Sequence, residues 1–358
     1  MRQLRQPTSL LQQGMLRLSR WIILFQCGWL VLGCNEEPSQ PAVDTTPYQF
    51  ELPAGFPAPL ESESNPTTVA KVELGKRLFY DPILSADFSL SCNSCHKQEL
   101  AFADDIAISP GVDGALGFRN APTLANVAYL GLMHKDGGVP KLDMQAGTPI
   151  EDMAEMNLSI FDAADRLNAD AEYARAFQTA FGRKADAFTI TRALAAFQKT
   201  MISGNSAYDQ YTYQQDDTAL SEAAIRGMEL FFSEELACSS CHSGFNFTDN
   251  TFQNNGTKEE YISDQGRFRI TWDSLDMGSF RVPTLRNVAL TAPYMHDGSL
   301  ADLDAVLAHY DQGGKGHPLQ DERIRPLNLS AQQKEDLKAF LSSLTDEQFI
   351  RDERYRLE

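Results

Sequence analysis

A chain of 358 residues, 42% of them hydrophobic, suits two domains of ordinary size and is too long for one small cofactor-binding module. Its net charge of −18, from 31 Lys and Arg against 49 Asp and Glu, argues against nucleic acid and fits a basic electron-transfer partner as well as it fits plain solubility. Four of the six cysteines lie in Cys-x-x-Cys-His pentapeptides and two, Cys27 and Cys34, near the N-terminus, which leaves none for a structural disulfide.

In chain order, Arg2, Arg5, Arg17 and Arg20 precede the apolar stretch Trp21 to Leu32. That stretch is too short to cross a bilayer comfortably and reads as an export signal. Leu30-Val31-Leu32-Gly33-Cys34 resembles a bacterial lipobox, whose cysteine is lipidated and becomes the mature N-terminus, although Leu32 is less usual there than a small residue. Ordinary cleavage nearby and an uncleaved anchor are the alternatives. All three put the folded part outside the cytoplasm. The lipid reading places it on the periplasmic side, on the outer membrane, touching lipid only through that anchor. Loss of residues 1–34, which hold four arginines and no acid, would take the charge from −18 to −22. Residues 35–65 are rich in Pro, Ser and Glu and read as a flexible tether.

Beyond the tether the chain repeats itself. Leu74-Gly75-Lys76-Arg77-Leu78-Phe79-Tyr80 precedes Cys92-Asn93-Ser94-Cys95-His96, and Arg226-Gly227-Met228-Glu229-Leu230-Phe231-Phe232 precedes Cys238-Ser239-Ser240-Cys241-His242. Pro122-Thr123-Leu124-Ala125-Asn126-Val127-Ala128, Met133-His134 and Asp136-Gly137 follow the first pentapeptide. Pro283-Thr284-Leu285-Arg286-Asn287-Val288-Ala289 and Met295-His296-Asp297-Gly298 follow the second. This is an internal duplication, with domains at 66–205 and 206–358 and the last helix a candidate to pack back on the first domain. The fold class is mainly α, helix and long loop, with strands only as short pieces. Ile190, Leu194, Phe197 and Met201 form one apolar helix face. Leu337, Phe340, Leu341 and Leu344 form another, opened by Ser330 and Gln333 at capping-box spacing. Stretches 103–120 and 243–280 show little periodicity and read as loops.

Each pentapeptide is an attachment sequence for a c-type haem. The two thiols form thioethers with the porphyrin vinyls, and the adjacent histidine, His96 or His242, becomes an iron ligand. A zinc site would need a combined Cys/His set, and redox thiol pairs rarely carry a following histidine at both copies. Two covalent haem c groups are therefore expected, one per repeat, on Cys92, Cys95 and His96 and on Cys238, Cys241 and His242.

The paired pentapeptides, the Arg119-Asn120-Ala121-Pro122-Thr123-Leu124 run, Lys135-Asp136-Gly137-Gly138 and Ala292-Pro293-Tyr294-Met295-His296-Asp297-Gly298 resemble the bacterial di-haem cytochrome c peroxidases, closest to the MauG and MbnH-like branch. The resemblance runs from about Leu52 to Phe349. It implies two cytochrome-c-like helical domains with a calcium ion between them, peroxide chemistry at the first haem and electron storage or relay at the second. Gln145, Pro149 and Glu155-Met156 match the Gln…Pro…Glu-Met spacing of the family's peroxide pocket, which implies a catalytic role for Glu155. The chemistry needs such a carboxylate, because a proton must pass from the inner to the outer peroxide oxygen before water leaves. The resemblance also carries calcium to the Asn120 side chain and the carbonyls of Thr291 and Pro293, residues that alone show no metal signature.

Three departures qualify it. Many of these peroxidases have a histidine that blocks the first iron until the partner haem is reduced; here no histidine lies between His96 and His134, and Val112 falls at that position. An open first haem is expected in the oxidised protein. Second, the far ligand of the second haem is a methionine in electron-accepting members, and fourteen residues beyond His296 the matching position is Tyr310. Leu303, Val306, Leu307 and Tyr310 share one helix face, so this tyrosine points inward. A phenolic oxygen stabilises higher iron states, whereas methionine raises the potential. His309 is expected to face elsewhere, and His317 to be exposed. Third, the tryptophan that several members place between the haems is here Lys135, and Trp272, the only tryptophan beyond residue 34, lies in another loop.

These features favour an oxidoreductase that reduces hydrogen peroxide with electrons from a protein: a small cytochrome c, a cupredoxin or another exported partner. The alternative from a different class is a non-catalytic di-haem electron-transfer cytochrome.

Overall fold

A computed structural model describes residues 42–59 and 61–357. The export-type segment, Cys34 and residues 35–41 of the expected tether lie outside the described residues. The described residues group as one compact unit.

The helices are α1 (Val69–Tyr80), α2 (Leu142–Gln145), α3 (Gly147–Glu151), α4 (Ile160–Ala169), α5 (Ala171–Phe181), α6 (Ala187–Lys199), α7 (Ala207–Tyr213), α8 (Glu222–Phe231), α9 (Phe268–Thr271), α10 (Leu303–Gln312) and α11 (Ala331–Ser342). One-turn 3-10 helices cover Cys92–Ser94 and Cys238–Ser240. Two antiparallel two-residue strands, β1 (Phe252–Gln253) and β2 (Phe280–Arg281), make the small sheet. The architecture is mainly helical.

Two helix crossings organise the halves. α1 packs on α6 and α8 on α11, each through a glycine. A Cβ on Gly75 would stand 1.9 Å from the Ala193 carbonyl oxygen, and one on Gly227 would stand 1.9 Å from that of Asp336. Only a residue without a side chain lets these backbones approach so closely. Ile190, Leu194, Phe197 and Met201 are buried against Leu78 and Phe79 in the first core, while Leu337, Phe340, Leu341 and Leu344 join Phe231 and Phe247 in the second. At the start of α11 Ser330 Oγ accepts from Gln333 N at 3.2 Å and Gln333 Oε1 accepts from Ser330 N at 2.9 Å, the box its spacing predicts.

Two expectations need correction. Residues 42–65 do not behave as a tether: Asp44 N donates to Thr179 O at 2.8 Å, Asn65 is fully buried, and Phe56 packs edge-on to Tyr129 and Phe245. The Pro, Ser and Glu composition hid aromatic anchors that bury enough area to dock the segment. The last helix also stays in its own half, on α8. The tail beyond it crosses instead, and Phe349, Ile350 and Tyr355 complete the first core. There Gln98 Nε2 donates to the carbonyls of Phe349 at 3.3 Å and Asp352 at 2.8 Å.

Candidate active site: two histidine pockets

Both pentapeptides fold into the same turn, with the histidine N–H donating to the first cysteine's carbonyl at 3.0 Å in each. His96 Nδ1 donates to Phe102 O at 2.9 Å. His242 Nδ1 lies 3.1 Å from Phe247 O and 3.2 Å from Pro283 O. Burial holds both imidazoles below their ordinary pKa, so each is neutral with Nε2 left free as a ligand. Burial pushes the Cys92 thiol up to about 12 and that of Cys238 to about 11. Such neutral thiols suit thioether bonds better than zinc thiolates. No group of three His, Cys, Asp or Glu side chains converges on a common point among the described residues. The donor sets thus fit two porphyrins, each held by two sulfurs and one imidazole.

Beside the first pentapeptide stands Glu155. Its negative charge contributes to raising the thiol pKa of both Cys92 and Cys95, behind burial, so the carboxylate lies near that turn. The residue is solvent-exposed, yet desolvation, with a lesser push from Asp152, raises its own pKa to about 7. The turn that presents it is tied down at both ends: Glu155 N donates to Asp152 O at 3.0 Å and Met156 N to Pro149 O at 3.1 Å. Pro149 therefore supports the pocket through its carbonyl. Gln145 ends α2 half-buried, and its side chain makes no hydrogen bond among the described residues. Val112 is buried, and its N–H donates to Glu155 O at 2.8 Å. An aliphatic side chain with no ligating atom thus occupies the loop bonded to the Glu155 backbone.

The second pentapeptide opens into a cavity of ≈ 320 Å³ lined by Cys238, Cys241, His242, Leu307 and Tyr310. Burial raises the Tyr310 phenol, and the nearby Cys238 and Cys241 charges add to the rise. Asn255 Nδ2 lies 3.5 Å from Tyr310 Oη and 3.2 Å from Met295 Sδ. Met295, which sequence reasoning passed over, also lines this cavity; its signal was the Tyr-Met-His run itself. His309 turns away and bonds Asn255 O at 2.9 Å. His317 is not exposed but half-buried: its Nδ1 accepts from Leu319 N at 3.0 Å and its ring packs 5.2 Å from Tyr261.

Asn120, Thr291 and Pro293 all line this cavity. Asn120 N donates to His296 O at 2.9 Å and Nδ2 to Ile106 O at 3.1 Å, while Oδ1 takes no hydrogen bond among the described residues. Such an oxygen suits a hard cation.

The repeat register also needs one correction. Met133 bridges Val139 as Tyr294 bridges Leu300. Met133-His134 is therefore equivalent to Tyr294-Met295, not to Met295-His296, and Lys135 occupies the place of His296. The shared Met-His letters were a coincidence one residue out of step.

Similar proteins fix the family. The chain is 36% identical over 319 residues to the methylamine utilization protein MauG of Methylorubrum extorquens, covering 87% of each chain. The chain belongs to the di-haem cytochrome c peroxidase family. The family model described as di-haem cytochrome c peroxidase matches residues 69–218 of this peroxidase. Cytochrome c551 peroxidase of Pseudomonas aeruginosa is 33% identical to it over 297 residues, 80% of this chain and 82% of that one. Among solved structures, a MauG-like protein associated with microbial copper homeostasis superposes with a TM-score of 0.80 at 36% identity, covering 86% of this chain and 99% of the other. The peroxidase is accordingly an oxidoreductase that carries two haem c groups and reduces hydrogen peroxide with electrons from a redox protein.

Proposed function

We propose that hydrogen peroxide is reduced at the first haem, on His96, and that Glu155 is the acid–base group. The observation that carries this is a carboxyl raised by burial to about 7 near the Cys92–His96 turn, on a segment bonded through its backbone to a loop whose buried residue is Val112 rather than a ligand. When bound, the haem supplies the peroxide-binding iron and the electrons. Glu155 takes the proton from the oxygen nearer the iron and returns it to the farther one. Pro149 and the Val112 N–H hold its turn in place, and Gln145 lines the approach.

In the second half Tyr310, which lines the same cavity as His242, would serve with it to hold the iron when the haem is bound, and a phenolic oxygen there would make that haem a poor acceptor from a high-potential cytochrome and a good store for oxidising equivalents. This favours the MauG and MbnH-like branch, in which a side chain of an exported partner is oxidised, over turnover with a small cytochrome or cupredoxin. The two haem units, 66–205 and 206–358, arise by duplication, and the similar turns, glycine crossings and bridges support that origin. Asn120 Oδ1 with the carbonyls of Thr291 and Pro293 holds calcium between the halves. The protein is exported and attached to the outer membrane through lipid on Cys34.

One equivalent of peroxide added to oxidised holoprotein tests the central point. A rapid change in the haem absorption spectrum, from a resting state with one high-spin and one low-spin iron, is expected. Two low-spin irons and no rapid change would identify a simple electron carrier.

A further inference from the structure

Two cations of the second cavity lack a counter-ion. Lys135 Nζ reaches only a backbone carbonyl, Met295 O at 3.2 Å, and Arg281 spends one guanidinium nitrogen on Leu132 O at 2.6 Å. The acids around them are committed elsewhere. Asp297 pairs with Lys258 at 2.6 Å, while Arg119 pairs with Asp136 and Asp264, each at 2.7 Å. Neither Lys135 nor Arg281 has an acid within 4.0 Å among the described residues.

Desolvation, with repulsion from Arg119 and Arg281, lowers Lys135 to about 7, and burial lowers Arg281 to about 10. Charges so placed are unfavourable until an anion joins them. Both side chains line the cavity that begins at Cys238, Cys241 and His242. Arg323 serves the thiol end, where its charge lowers the Cys241 pKa and its guanidinium lies 3.3 Å from Ser240 O. A c-type haem has two ionised propionates on the porphyrin edge away from its thioethers.

We propose that Lys135 and Arg281 clamp the propionates of the second haem, which makes Lys135 a positioning residue that the first half contributes to the cofactor of the second. This rests on the reading of Cys238–His242 as a haem site. Lys135 lies in the segment that runs on into α2 and Gln145, and its carbonyl accepts from Arg281 N at 2.7 Å. The two cations are thus held in one backbone-linked pair, and the junction between the haems is spanned by an ion contact.

The test is a redox titration of both haems in holoprotein, with resonance Raman spectra of the propionate bending bands, for wild type, K135M, K135R and K135M/R281L. A positive charge at the haem edge favours the reduced iron, so its removal stabilises the ferric state. In K135M the second midpoint potential falls and the propionate band shifts, in K135R both return, and in the double variant the potential falls further. An unchanged potential and band in both K135M and the double variant overturns the clamp. Should K135M fail to load the second haem, loading restored by K135R but not K135Q supports it, and loading restored by both overturns it. Wild-type mass showing no haem on Cys238 and Cys241 is a separate result that removes the site reading itself.

Discussion

The two halves hold their histidines alike and treat the space beyond them differently. In each, Nδ1 is tied to a backbone carbonyl and Nε2 is left for iron. Past that point the first half offers an ionisable carboxyl, and the second fills the cavity wall with a phenol and a thioether. The core repeats the contrast. Ala125 of the first half is replaced at the equivalent place by Arg286, fully buried and paired with Asp209 at 2.7 and 2.8 Å. One folding pattern thus carries a carboxyl near one histidine turn and a phenol and a thioether on the cavity beside the other, and the difference lies in a few side chains.

The largest effect that would sharpen this comparison is kinetic. Glu155→Gln should slow the reaction with peroxide roughly 10²- to 10⁴-fold, whereas Tyr310→Phe should leave that step nearly untouched, as followed by stopped-flow absorbance. The wild-type rate should rise as pH rises through about 7, because the carboxylate form of Glu155 is the one that accepts the first proton; the Gln variant should lose that dependence. An unchanged rate in Glu155→Gln would erase the proposed asymmetry between the pockets.

Next in size is the buried Arg286–Asp209 pair of the second half. Arg286→Met leaves Asp209 buried with Ser206 as its remaining partner and should cost about 3–5 kcal/mol in denaturant unfolding. Smaller and equal effects are expected at the two crossings. Gly75→Ala and Gly227→Ala each force a methyl onto a carbonyl and should each cost about 1–3 kcal/mol, read as matched falls in Tm. A large cost at one and none at the other would show that the crossings are not equivalent. Ser330→Ala, which removes one cap, should cost only about 1 kcal/mol.

Much of this was legible in the residues because the features were local. The pentapeptides, the Ser330 box and the helix faces each depend on spacings of a few positions, and the structure reproduces them. What the letters could not supply came from long-range packing. Phe56 docks because Tyr129 and Phe245 lie in front of it, which no property of residues 35–65 reveals. Lys135 looked like the loss of a bridging aromatic, and its orphaned charge became visible only when Arg281 and the committed acids were placed around it. The repeat register slipped for a related reason: bridging to Val139 and Leu300, not residue identity, sets which positions correspond.

The crossing tail has a consequence for biogenesis. Phe349, Ile350 and Tyr355 plug the core around α1 and α6, and the Tyr355 hydroxyl donates to Thr200 O at 2.7 Å. The first half is consequently sealed by a segment that lies 155 residues beyond Thr200 in the chain. Until that segment docks, the core against which Cys92 packs is incomplete, so a porphyrin reaches the thiols most readily before closure.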